Sequence, residues 1–145
     1  MQLPESARAL IESGAHAHLV TLNADGSPQV TIVWMGVESG PEGTELVSAH
    51  MYESVKVRNM RRDGRVVVSF GSPTLSAMGL GEYLVVYGTA RIVEGGAPEL
   101  LQKLAHVYMG PDVVFPAMEN PPAGFINRIK IDRVTGVGPW TGRVV

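Results

Sequence analysis

The run Ser54-Val55-Lys56-Val57-Arg58-Asn59-Met60-Arg61-Arg62-Asp63-Gly64-Arg65-Val66-Val67-Val68 changes period in its middle. Its first part breaks strand alternation, sets Val57 and Met60 on one side and closes on glycine, the pattern of a short helix. Its second part, rich in β-branched residues, reads as a strand. Immediately upstream, Glu45-Leu46-Val47-Ser48-Ala49-His50 also alternates as a strand, so one helix is inserted between two strands.

Elsewhere the chain shows no regular alternation of strand and helix. Leu3 to Ser13 reads as an amphipathic helix, with Leu3, Ala7, Leu10 and Ile11 at helical spacing ahead of Gly14. His16 to Leu22 and Gln29 to Val37 read as a hairpin around the Asn23–Pro28 turn, and with Glu45 to His50 they predict an antiparallel meander. Past the central helix, Arg65 to Phe70 and Glu82 to Val93 read as strands separated by a Gly/Ser/Met loop over 71–81, the second long enough to bend around a barrel. Pro98 to Met109 reads as a helix through Leu100, Leu101, Leu104 and Val107, and the four prolines of 110–124 exclude regular structure there. Phe125 to Val137 predicts a partly exposed strand that leads to Trp140. About six strands and three helices without βαβ alternation predict a mainly-β, antiparallel barrel rather than a Rossmann sheet.

A chain of 145 residues with 45% hydrophobic and 18% charged side chains fits one ordered globular domain over 1–145. The net charge of −2 provides no general attraction for nucleic acid. With no cysteine, disulfides, thiolate metal sites and thiol nucleophiles are excluded. Met1 to Glu5 lacks the basic start of a signal peptide and no stretch approaches the ~18 apolar residues of a membrane span. The expectation is a cytoplasmic, unprocessed protein with no membrane partner.

The junction from Ser48 to Arg62 carries the most chemistry. Ser54 is the expected N-cap of the helix and Lys56 falls in its first turn, where the helix dipole favours acids over a cation. An anionic ligand resolves that conflict, since a helix N-terminus presents free N–H groups to phosphate. Arg58, Arg61 and Arg62 add donors suited to phosphate or carboxylate. The same charges read equally as a solvated basic helix face. His16 and His18 share one strand face without a clear third ligand and read as ordinary strand residues, so no metal site is expected. His50 and His106 stand alone. Nucleophile elbows, phosphate-binding P-loops and Gly-x-Gly-x-x-Gly turns are absent from the sequence.

Taken in order, Asp25 to Trp34, Leu46 to Ser48 and Ser54 to Val68 resemble the pyridoxamine-phosphate-oxidase-like split β-barrel superfamily, and within it the F420-dependent branch found in actinobacteria. The likeness runs from the N-terminal helix to Trp140, and Tyr83 to Ala90 fits the superfamily's hydrophobic strand followed by Gly-x-Ala. It implies a six-stranded split barrel, homodimeric, with two cofactor sites at the subunit interface. By this resemblance Gln29, Val30, Thr31 and Ile32 line an isoalloxazine-like ring, and Ser48, Ser54, Lys56, Arg58 and Asn59 hold the ribityl chain and phosphate. The same resemblance brings the Met78 loop and Trp140 across from the other subunit, while Trp34, Met60 and Trp140 read equally as core or interface packing. The chain departs from the FMN oxidases, which resemble it, in having no basic residue from Gln29 to Met35 and no charge from Val134 to Trp140. Coenzyme F420 is therefore the implied cofactor, with FMN as the alternative. The implied reaction is hydride transfer from reduced deazaflavin to a conjugated C=C or C=N bond of a planar acceptor such as a tetrapyrrole, quinone or enone. The competing readings are an FMN-binding flavin reductase or oxidase and a non-catalytic F420 carrier. No side chain is assigned a catalytic step.

Overall fold

A computed structural model describes residues 2–41 and 43–141 of the chain. In order it contains α1 (Glu5–Glu12), β1 (Ala17–Leu22), β2 (Pro28–Val33), β3 (Gly36–Gly40), β4 (Gly43–His50), α2 (Val55–Arg62), β5 (Arg65–Leu75), β6 (Gly81–Glu94), α3 (Ala97–Tyr108) and β7 (Phe125–Val137), then a 3-10 turn, Pro139–Thr141. The strands form one antiparallel sheet in the order β2-β1-β5-β6-β7-β4-β3.

Three expectations need correction. The sheet has seven strands, not six, because the run from Gln29 to Val37 is split at Trp34 and Met35 into β2 and β3. Met35 turns into the core while Tyr108 binds its backbone, accepting from the Met35 N–H at 3.2 Å. The predicted meander does not form either: β4 pairs with β3 and β7, and β2 pairs with β1 alone among the described residues. β2 and β3 thus follow each other in sequence yet lie on opposite edges, so the sheet curls around its core without closing. Finally, the 71–81 loop is largely hairpin, since β5 runs to Leu75 and pairs it with Gly81.

The inner face carries Leu19, Leu46, Val68, Phe70, Leu84, Val86, Ile129 and Ile131, all essentially inaccessible, and α1 closes it with Ala7, Leu10 and Ile11. α3 packs on the outside of β4, Leu100 and Leu104 against Val47. Gly88 shows why β6 can bend: at the bulge between Tyr87 and Gly88, a Cβ would lie 2.6 Å from the Lys130 carbonyl oxygen. Only glycine permits that approach. Among the described residues, no helix is long and apolar enough to cross a membrane.

Candidate functional site

β4 and α2 are joined by the short link 51–54, and their junction gathers most of the polar groups inside the barrel. Strand alternation turns Ser48 and His50 inward with Leu46, and β7 sets Asn127 opposite Ser48. All three polar side chains are buried. Asn127 Oδ1 accepts from the Ser48 hydroxyl and, at 2.5 Å, from His50 Nε2. Burial pushes His50 down to about 4, helped by the charge of Lys56 and opposed by the Asn127 bond. The imidazole is therefore neutral at pH 7, its proton on Nε2.

A second cluster fixes α2 to the sheet. Asn59 donates to Thr21 Oγ1 and to Asn23 Oδ1, each at 3.0 Å, and Thr21 donates in turn to Gln29 Oε1 at 3.0 Å. Arg62 donates to Asn59 Oδ1 and to the Leu22 carbonyl.

Beside the first cluster, with His50 in its wall, opens a cleft of about 260 Å³ lined by Ile32, Val33, Trp34, Ala49, His50, Lys56, Leu101 and Phe115. Trp34 stacks on Tyr108 at 5.6 Å and meets the edge of Phe115 at 5.3 Å, which gives the cleft an aromatic wall. Lys56 is its cation. Half-buried, it forms no ion pair among the described residues, and burial pulls its pKa below the ordinary lysine value. A larger hollow of about 320 Å³ lies on the outer sheet face around Val20, Val67 and Tyr87, and one of about 140 Å³ separates α3 from β3. Neither contains the polar groups of the α2 junction, and chemistry selects the Lys56 cleft.

Among the described residues, three buried side-chain atoms have no partner: Thr31 Oγ1, Ser54 Oγ and Asn127 Nδ2. Buried polar atoms are normally satisfied. Ser54 occupies the N-cap position of α2, as its sequence suggests, but its hydroxyl makes no capping bond. Unsatisfied hydroxyls on β2 and at the head of the helix that carries Lys56 suit the hydroxylated, phosphorylated chain of a flavin-type cofactor, although neither Thr31 nor Ser54 is among the residues lining the cleft.

The remaining expected site residues divide clearly. On β2, Gln29 and Thr31 face inward with Val33, whereas Val30 and Ile32 are 60% and 63% exposed on the outer face. Arg58 is exposed on α2; Arg61, by contrast, is committed to Glu53 and Glu94 and lies over Phe125. Met78 is exposed at the β5–β6 hairpin. Trp140 sits in the core of its own chain and donates its indole N–H to the Tyr83 carbonyl. In the sequence His50 stands alone, and no motif there singles out Asn127, Thr21 or Phe115. Asn127 had left a signal: it shares the register of Ile129 and Ile131, an inward face on which a lone amide must find a partner.

Among the described residues no cluster of three or more His, Cys, Asp or Glu could hold a metal ion. A model of the family described as pyridoxamine 5'-phosphate oxidase matches residues 3–138. Among solved structures, one titled F420 reductase is 26% identical, with 91% of this chain and 98% of that one covered at a TM-score of 0.70. The conserved hypothetical protein Rv2991 from Mycobacterium tuberculosis is 24% identical over 94% of this chain and 84% of its own, TM-score 0.70. HupZ from Group A Streptococcus shares the fold at 18% identity, 94% of each chain and a TM-score of 0.65. No curated protein matches the chain.

Proposed function

The chain belongs to the pyridoxamine 5'-phosphate oxidase family, and from that membership we propose that it is an F420-dependent oxidoreductase, a homodimer that binds the deazaflavin at the cleft between β2 and α2. The bound cofactor supplies a hydride to a conjugated C=C or C=N bond of a flat acceptor. The carrying observation is Lys56: a half-buried cation in the first turn of a helix, with no carboxylate paired to it among the described residues. An anionic ligand supplies the missing partner. The F420 reductase among the similar structures supports the choice of cofactor.

In this reading Lys56, Ser54 and Thr31 hold the phosphate and chain, with Arg58 at the rim. Ser48 and Asn59 act from inside: Ser48 steadies Asn127 against His50, and Asn59 keeps α2 in place. Trp34 and Phe115 offer a flat apolar wall, and Leu101 and Ala49 keep water from it. The dimer is supported by the outer sheet face, where Val30, Ile32, Tyr83 and Tyr87 are exposed beside Val20 and Val67. A contiguous apolar face of this kind marks an interface on a soluble protein.

Fluorescence titration with F420 and, in parallel, FMN tests the assignment. Preferential micromolar or tighter binding of F420, followed by turnover on a conjugated acceptor, is the expected result. Preference for FMN overturns the cofactor, and tight F420 binding without turnover on any acceptor leaves a carrier.

A further inference from the structure

We infer that Tyr108 is a positioning residue for the planar acceptor: it fixes Trp34 at both ends, the backbone through its hydroxyl and the indole through its ring. Tyr108 does not itself line the cleft and acts through Trp34, which does. This rests on the reading of the cleft given above.

Trp34 hangs where the sheet is least able to hold it. With Met35 it forms the crossing from β2 to β3, the two edges of the open sheet, so no strand ladder secures its backbone. The other tryptophan, Trp140, is oriented by its indole N–H, which donates to the Tyr83 carbonyl at 3.1 Å. Trp34 makes no such bond among the described residues. Its aromatic contacts are Tyr108, stacked at 5.6 Å and 13°, and the edge of Phe115 at 5.3 Å. The nearly parallel stack sets the tilt of the indole. One residue further on, the Tyr108 hydroxyl accepts from the Met35 N–H at 3.2 Å.

Tyr108 is anchored in turn. Its hydroxyl donates to the Ala15 carbonyl at 2.8 Å, and His16 stacks on its ring at 6.4 Å. Burial raises the Tyr108 pKa, so the hydroxyl keeps the proton that the Ala15 bond uses. The link between α1 and β1 thus holds Tyr108, and Tyr108 holds Trp34. A flat acceptor gains most from a ring already set at its tilt, because ordering a loose indole on binding costs affinity. Lys56 stands on α2 and is not held by Tyr108, so the effect falls on the acceptor rather than on the cofactor's anion.

The test uses menadione, a flat quinone, as acceptor and reduced F420 as donor. Tyr108→Phe keeps the ring and loses the hydroxyl; Tyr108→Leu loses both. In a Trp140→Phe background Trp34 is the sole tryptophan, and acrylamide quenching of its fluorescence should rise from the parent through the Phe to the Leu variant. The KM for menadione should rise in the same order, roughly two- to tenfold for Tyr108→Leu, the range of one aromatic pair, while the dissociation constant of F420 stays level. In a Trp34→Leu background, Tyr108→Leu should add nothing further to KM, since the two rings act as a unit. A KM that stays level in Tyr108→Leu, that rises as much without Trp34, or that rises together with the F420 constant assigns Tyr108 to stability alone and overturns the inference, leaving the cofactor reading intact. Should Tyr108→Leu fail to fold, Tyr108→Phe decides, and unchanged quenching and KM in that variant overturn the inference. Absence of wild-type turnover on menadione also overturns it, and absence of F420 binding overturns the cofactor reading as well.

Discussion

Asn59 on α2 donates to Thr21 Oγ1 on β1 across 3.0 Å, with both side chains buried, and this contact seats the helix that carries Lys56. Removing it reaches beyond one bond, because the Asn59 oxygen also accepts from Arg62 and its nitrogen also serves Asn23. Asn59→Leu should cost about 1–3 kcal/mol of unfolding free energy, the penalty of stranding buried donors and acceptors. Denaturant unfolding measures it. Affinity for F420 should fall as well, since α2 loses its anchor.

Lys56→Met separates a binding residue from a structural one. Burial holds the Lys56 pKa below its ordinary value, so the unfolded chain keeps this proton more tightly than the folded one. A lysine in that condition lowers stability at pH 7. The variant's melting temperature without cofactor should therefore stay level or rise slightly, while cofactor binding weakens by about 1.5–3 kcal/mol, the worth of a hydrogen bond to a charged group. An unchanged dissociation constant would remove Lys56 from the site.

Ile32→Glu addresses the dimer. Ile32 is 63% exposed on the outer face, and in one protomer its substitution disturbs no core. If that face is the interface, a buried unpaired carboxylate there carries a penalty large enough to dissociate the pair. Sedimentation equilibrium should show a monomer with the melting transition of a folded chain; because Ile32 also lines the Lys56 cleft, the readout is the oligomeric state and not F420 affinity. A dimer that survives the charge places the interface elsewhere.

His50 makes stability fall in weak acid. Its folded value of about 4 lies below the ~6.5 of an exposed imidazole, so the unfolded state binds the extra proton between those pH values. Stability is complete above about pH 6.5 and declines as pH drops toward 4, by roughly 3 kcal/mol over the window at ~1.4 kcal/mol per unit. His50→Leu should flatten this part of the curve. An equal slope in wild type and variant assigns the acid loss to other groups.

Local pattern made the helices and most strands legible, because amphipathic spacing and β-branched runs are short-range signals. Phe125 to Val137 was read at its full extent. Strand order was not legible: whether β2 turns back to pair with β4 or hands the chain across the sheet depends on Met35 entering the core and Tyr108 holding its backbone, contacts made across 73 residues. The site followed the same division. Lys56 stood out against the helix dipole from its own neighbours, whereas the Ser48–His50–Asn127 cluster joins residues 77 and 79 positions apart. Thr31 stands on family likeness alone and Ser54 on its N-cap position as well, and only packing reveals that their hydroxyls have no partner.

Gln102 holds the proline-rich strap to the cleft. Its amide nitrogen donates to the Val113 carbonyl at 2.8 Å and its oxygen accepts from the Phe115 N–H at 3.2 Å, so one side chain closes both backbone groups flanking Val114. Phe115 is the strap's contribution to the aromatic wall, edge-on to Trp34. Gln102→Leu keeps the helix and the volume but strands both backbone groups, a local loss of about 1–3 kcal/mol. The strap lies outside the main core, so this loss should appear as local opening rather than as a large fall in melting temperature. Limited proteolysis within 110–124 should accelerate, and affinity for the planar acceptor should weaken while cofactor affinity changes less. Gln102→Glu keeps the acceptor for Phe115 and loses the donor for Val113, so its cleavage rate should fall between wild type and Gln102→Leu. Equal rates for the two variants would mean that Phe115 is held by Trp34 packing and not by Gln102.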